Sequence, residues 1–199
     1  MQPLGTRHAF GVMLVSLGAL GGVLVVLAAM AVGSQMAIVP SMGQTVWAEI
    51  KWPYPTVPWE ASRAFTCTGA ACGGAATLLV QAKIGFCNCA TGVADDEELE
   101  RVGELLLLGT GATPMKPGRP IAVGTMKGRS RPYALNGARA VVAPSGPLSA
   151  LLIAYNDRCD VVVATALSGA ASATDLEPVV LGFLGSDIIM RWVELKLGL

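Results

Sequence analysis

Five cysteines and one histidine bound the chemistry open to this 199-residue chain. The histidine is His8, so every residue after it must act without an imidazole. That excludes a Ser-His-Asp triad, a Cys-His dyad and any His-ligated zinc, copper or haem beyond the N-terminal tail. The sequence holds no Cys-x-x-Cys, no Gly-x-x-x-x-Gly-Lys-Ser/Thr, no Gly-x-Gly-x-x-Gly and no Gly-x-Ser-x-Gly. Redox, nucleotide-binding and esterase signatures are therefore missing. Neither catalysis nor a cofactor is expected.

The cysteines are Cys67, Cys72, Cys87, Cys89 and Cys159. In an oxidising compartment such residues pair as structural disulfides. An odd number leaves at least one thiol free or joined to another chain. Spacing alone does not settle the connectivity. Cys87 and Cys89 lie two apart, so in a strand they share a face. A second reading uses that pair as a Cu(I) ligand set or in thiol exchange, because thiolates suit a soft ion.

Charge is segregated. Positions 95–104 carry six acids and Arg101, whereas positions 105–156 carry six basic residues and no acid. Two readings stay open. The acidic segment and the basic hairpins neutralise each other within the fold, or Lys127, Arg129 and Arg131 form a basic interaction edge toward lipid headgroups or an acidic partner. Asp157 and Asp160 flank Arg158 in a turn, where Asp is favoured.

The elements that must position these residues begin with a long apolar run. Positions 9–33 hold no charged residue. A helix of that length covers about 37 Å, enough to cross a hydrocarbon core of about 30 Å. We expect an uncleaved transmembrane signal anchor over 9–33, after a cytoplasmic tail at 1–8; the alternative is a signal cleaved at the small residues near Ala29 to Ala31. Arg7 and His8 precede the run and no basic residue follows until Lys51, which places residues after it outside the cytoplasm. The composition suggests a bacterium, hence a single-pass inner-membrane protein with a periplasmic C-terminal domain. Gly11, Gly18, Gly22, Ala29 and Gly33 share one helical stripe, a face suited to helix packing in lipid. Charged residues make up only 14% of the chain, against about 25% in typical soluble domains, consistent with that reading.

Residues 34–60 read as a Pro- and Trp-rich juxtamembrane linker. Trp47, Trp52, Tyr54 and Trp59 suit either a belt at the membrane–water interface or a Pro- and Trp-rich segment packed against the domain or a partner. Residues 61–199 read as one outer domain. Asp95 and Glu98 form a capping-box pattern, so a helix is expected over 95–108, with Leu99, Val102 and Leu106 inward and Gly109 as its cap. Strands are expected at 77–83, 121–126, 130–135, 139–143, 149–155 and 161–167, with Lys127-Gly128 and Asn136-Gly137 as turns. Thr174 to Glu177 opens a C-terminal helical region, and Ser186 restarts it with Ile188, Trp192 and Leu195 on one face. The expected fold class is α+β: one N-terminal transmembrane helix plus a small outer domain, an antiparallel β-meander with its helices on one side.

A net charge of zero argues against nucleic-acid binding. The expected function is a non-enzymatic accessory or assembly subunit of a bacterial inner-membrane complex, with the bilayer and other membrane-protein subunits as partners. The alternative is a membrane-tethered thiol-redox or Cu(I)-handling protein using Cys87 and Cys89.

Overall fold

Two long strands, Leu148–Asp157 and Asp160–Ser168, are apolar at nearly every position and buried on both faces. A strand with two apolar faces needs cover from both sides. The computed structural model supplies it with helices above and below one eight-stranded antiparallel sheet. It describes residues 46–54, 61–137, 148–169 and 173–199. All belong to one unit, Thr45–Leu199.

In chain order the elements are β1 (Trp47–Ile50), β2 (Ser62–Gly69), β3 (Gly74–Lys83), α1 (Asp96–Gly103), β4 (Gly111–Pro114), β5 (Arg119–Val123), β6 (Met126–Asn136), β7 (Leu148–Asp157), β8 (Asp160–Ser168), α2 (Ala173–Leu184) and α3 (Asp187–Leu197). The sheet runs β1-β2-β3-β8-β7-β6-β4, and β5 pairs with β6 beside β4. The chain leaves β3 at the sheet centre, builds the far edge, and returns through β8 to pair with β3. This is a sheet with a crossover rather than a meander.

Period two sorts the side chains. Leu78, Val80, Leu151, Ile153, Val162 and Ala164 face α2 and α3 with Trp47, Phe65 and Phe183. Leu79, Leu152, Val161, Val163 and Tyr133 face α1 with Leu99 and Val102. The expected fold class is corrected accordingly, since helices lie on both faces and not on one.

The anchor at 9–33, with Gly11, Gly18, Gly22, Ala29 and Gly33, lies outside the described residues, as do Trp59 and the strand expected at 139–143. Among the described residues no helix is long and apolar enough to cross a membrane. The longest, α2, has 12 residues. It covers about 18 Å, short of a core of about 30 Å. The single-pass signal-anchor description is therefore not carried further.

Three local expectations are also corrected. Asp95 does cap α1, its side chain accepting from the Glu98 N–H at 2.8 Å. The helix nevertheless stops at Gly103, because Glu104 adopts a left-handed conformation, φ 50°. A 3-10 turn over Leu105–Leu107 follows, which turns Leu106 outward, 70% exposed. β6 runs unbroken through Lys127-Gly128, and the turn from β5 falls at Gly124-Thr125. In α3 the core is met by Ile189, Val193 and Leu197. Ile188 and Leu195 face out.

Candidate interaction site beside an edge strand

The end of α1 shapes one wall of a cleft. Glu104 redirects the chain, so Leu105 turns into the core and Leu106 stands over a groove. Across the groove lies β4, at the end of the sheet path. Together Glu100, Arg101, Glu104, Leu105, Leu106, Ala112, Pro114 and Tyr133 line a cleft of about 560 Å³. Its lining joins Leu105, Leu106, Ala112, Pro114 and Tyr133 to three charged side chains.

Each charged group of the cleft is paired with a neighbour outside its lining. Glu100 accepts from Arg131 at 2.7 Å and from the Tyr133 hydroxyl at 3.2 Å. Arg101 pairs with Glu98 and donates to the Phe86 carbonyl at 2.5 Å. Glu104 pairs with Lys83 at 2.5 Å. Lys83 is fully buried and also donates to the Val102 carbonyl at 2.7 Å, at the end of α1. A cation there complements the helix dipole. Burial pulls the Lys83 pKa below the usual lysine range, against the opposing pull of Glu104. Burial and the nearby Glu100 carboxylate push the Tyr133 hydroxyl up, keeping it protonated.

β4 leaves backbone unpaired. Its register sets Thr113 opposite Ala134, and Met115 donates to the Pro132 carbonyl at 2.9 Å. In an antiparallel ladder the intervening residues turn their polar groups away. The N–H and C=O of Ala112 and the C=O of Pro114 thus point to the outer edge, which pairs with no strand among the described residues. Pro114 has no N–H, which shortens the usable edge. Leu106 and Met115, both exposed, border it.

The residues singled out in the sequence fall elsewhere. Lys127, Arg129 and Arg131 do share one face of β6, the face toward α1. Arg129 meets Asp96 at 2.7 Å and Arg131 meets Glu100 at 2.7 Å. Two of the three basic groups are thus engaged by the acidic helix. Lys127 instead lines a smaller cleft of about 340 Å³ with Cys89, Thr91, Asn156 and Arg158. Asn156 orders that corner, accepting from the Val93 N–H at 3.0 Å and donating to the Arg158 carbonyl.

Cys67 is joined to Cys72, and Cys89 to Cys159. Cys87 is a buried free thiol, its Sγ 3.3 Å from the Arg158 carbonyl. Burial, followed by the carboxylates of Glu98 and Asp160, pushes the Cys87 thiol up. Cys87 and Cys89 thus do not stand together as two thiols, the arrangement a Cu(I) or exchange site requires. Among the described residues no cluster of three His, Cys, Asp or Glu side chains suits a metal ion.

Of the aromatic residues with those two readings, Trp47, Trp52 and Tyr54 pack on the domain. Trp47 is buried and stacks on Phe183 at 5.6 Å. Trp52 and Tyr54 are half-buried against the α1-side core. The described part of the Trp-rich stretch is strand β1 and its exit, which favours the packed reading over the belt for these three residues.

No family model and no curated protein matches this chain. A solved structure of a protein of unknown function from Pseudomonas aeruginosa is similar to it, with a TM-score of 0.42 at 11% identity. The match covers 70% of this chain and 94% of that one. Likeness at that level carries no argument here.

The sequence reading missed Lys83, Leu106, Pro114 and Tyr133 as site residues. One signal was available: a proline inside a short extended run marks an edge strand. The cleft itself joins positions 100, 114 and 133, which no local pattern connects.

Proposed function

We propose that this chain is a non-enzymatic interaction domain, an accessory or assembly subunit of a bacterial protein complex. Its binding site is the cleft between α1 and β4. The carrying observation is the division of labour in that cleft. Each of its three charged groups is paired with a residue outside the lining, Glu100 with Arg131, Arg101 with Glu98 and Glu104 with Lys83, while exposed Leu106 and a strand edge unpaired among the described residues are left open. That combination suits an extended segment of a partner, which adds main-chain hydrogen bonds at Ala112 and seats an apolar side chain beside Leu105 and Leu106. Two disulfides support service in an oxidising compartment, the periplasm for a bacterial chain.

The test is site-specific photo-crosslinking in the native host. A photoreactive residue replaces Leu106 or Met115, and exposed Thr68 serves as control. One discrete heavier species from the first two positions, absent from the third, supports the reading. Equal labelling at all three positions, or none, overturns it.

A further inference from the structure

The outer face of α3 carries a second surface, on the opposite side of the sheet from the cleft and independent of it. Ile188 is 53% and Leu195 77% exposed. Trp192 lies between them, half-buried with one part packed on the core and its ring 5.9 Å from the Arg63 guanidinium. At about 100° per residue, Ile188, Trp192 and Leu195 fall within an arc of about 60°. Their spacing of four and then three is that of d, a and d positions in a heptad. The opposite face of α3, Ile189, Val193 and Leu197, is buried in the core, so the stripe sits on an anchored helix.

The residues beside the stripe name its partner. Arg191 borders it on one side and Lys196 on the other, each about 70° from its centre, at g and e positions. Both are exposed. The acids of this helix, Asp187 and Glu194, lie more than about 100° away. In a parallel pair of α3 helices Arg191 of one faces Lys196 of the other. In an antiparallel pair Arg191 faces Arg191 and Lys196 faces Lys196. Every self-pairing opposes like charges, which disfavours a second copy.

We propose that α3 docks an amphipathic helix of a partner protein, one with carboxylates on the two positions that flank its own apolar seam. The partner's seam covers Ile188, Trp192 and Leu195, and its flanking acids meet Arg191 and Lys196. A bilayer is less well matched, because the exposed polar face also carries Asp187 and Glu194, which anionic headgroups repel.

The probe is a fluorescein-labelled peptide of about three heptads, with Leu at a and d and Glu at e and g. Its own glutamates repel, so it stays single. A sibling carries Lys at e and g. Binding to the full chain is read by fluorescence anisotropy. The Glu peptide should bind at least tenfold more tightly than its sibling. Leu195→Asp should abolish the difference, and Arg191→Glu with Lys196→Glu should reverse it. All three sites are exposed, and an unchanged thermal midpoint confirms that each variant folds. No preference between peptides overturns the proposal. So does a dimer in sedimentation that Leu195→Asp dissolves, which assigns the stripe to a second copy. Binding to phosphatidylglycerol vesicles that Leu195→Asp removes assigns it to a bilayer and overturns it equally.

Discussion

Asp96 ties α1 to the basic strand, and its environment makes that tie depend on pH. Burial acts to raise its pKa. The Gly118 N–H, at 3.0 Å, and the Arg129 guanidinium, at 2.7 Å, outweigh burial and hold the carboxyl below the usual range. Glu98 and Glu49 are held low too, by Arg101 and Arg63. A carboxyl with a depressed folded pKa contributes stability above its unfolded value, about pH 4, and loses it as pH falls through the folded value. The domain should therefore lose stability below about pH 4. Asp96→Asn should cost about 1 kcal/mol at pH 7, and this gap should narrow as pH falls below about 4. Urea midpoints at pH 7, 4 and 2.5 measure it. A gap that stays constant with pH would separate Asp96 from the acid response.

The elements show how a close backbone approach constrains a strand. A Cβ on Gly128 would lie 1.9 Å from the Ala154 carbonyl oxygen of β7 and 2.6 Å from the Tyr155 Cα. Both are backbone atoms at the middle of the sheet, so neither swings aside. Gly128→Ala should destabilise by about 2 kcal/mol or more, although alanine normally improves on glycine inside a strand. A stabilised variant in equilibrium unfolding would contradict this contact. The same scale shows what the residues reveal before folding. β3, β7 and β8 are legible because their apolar runs are long. α1 is legible at its start, where Asp95 caps Glu98, but its end is set by Glu104 in a left-handed conformation, and no glutamate signals that. The inner face of α3 is illegible because Ile188, Trp192 and Leu195 are as apolar as Ile189, Val193 and Leu197. Sheet context chooses between two stripes one residue apart. β1 and β4 are four residues each and carry no usable period. The cleft inherits that silence, being built partly from β4.

At the scale of the whole molecule the two disulfides do unequal work. Cys67 and Cys72 are five residues apart and close the turn between β2 and β3. That hairpin is already held by its ladder from Ser62–Gln81 to Gly69–Gly74. Cys89 and Cys159 are 70 residues apart. Their bond ties the segment before α1 to the β7–β8 turn, so it fastens the α1-side core to the two strands that carry both cores. Loop closure grows with the logarithm of loop length, so the short bond is worth about 2 kcal/mol and the long one about 4 kcal/mol. Cys67→Ala with Cys72→Ala should therefore shift the urea midpoint about half as far as Cys89→Ala with Cys159→Ala. Double replacement avoids stranding a buried thiol beside Cys87. In the folded wild type Cys87 should resist alkylation, being buried and held protonated, and should react once the chain unfolds. In the variant lacking the long bond, Cys87 should react at lower urea than in the variant lacking the short one, because the corner that encloses it opens first. If the two pairs cost the same, the long bond is not what fastens the α1 side to the central strands. That coupling would then rest on the apolar packing of Leu99 and Val102 and on the polar ties Lys83–Glu104, Arg129–Asp96, Arg131–Glu100 and Val93–Asn156.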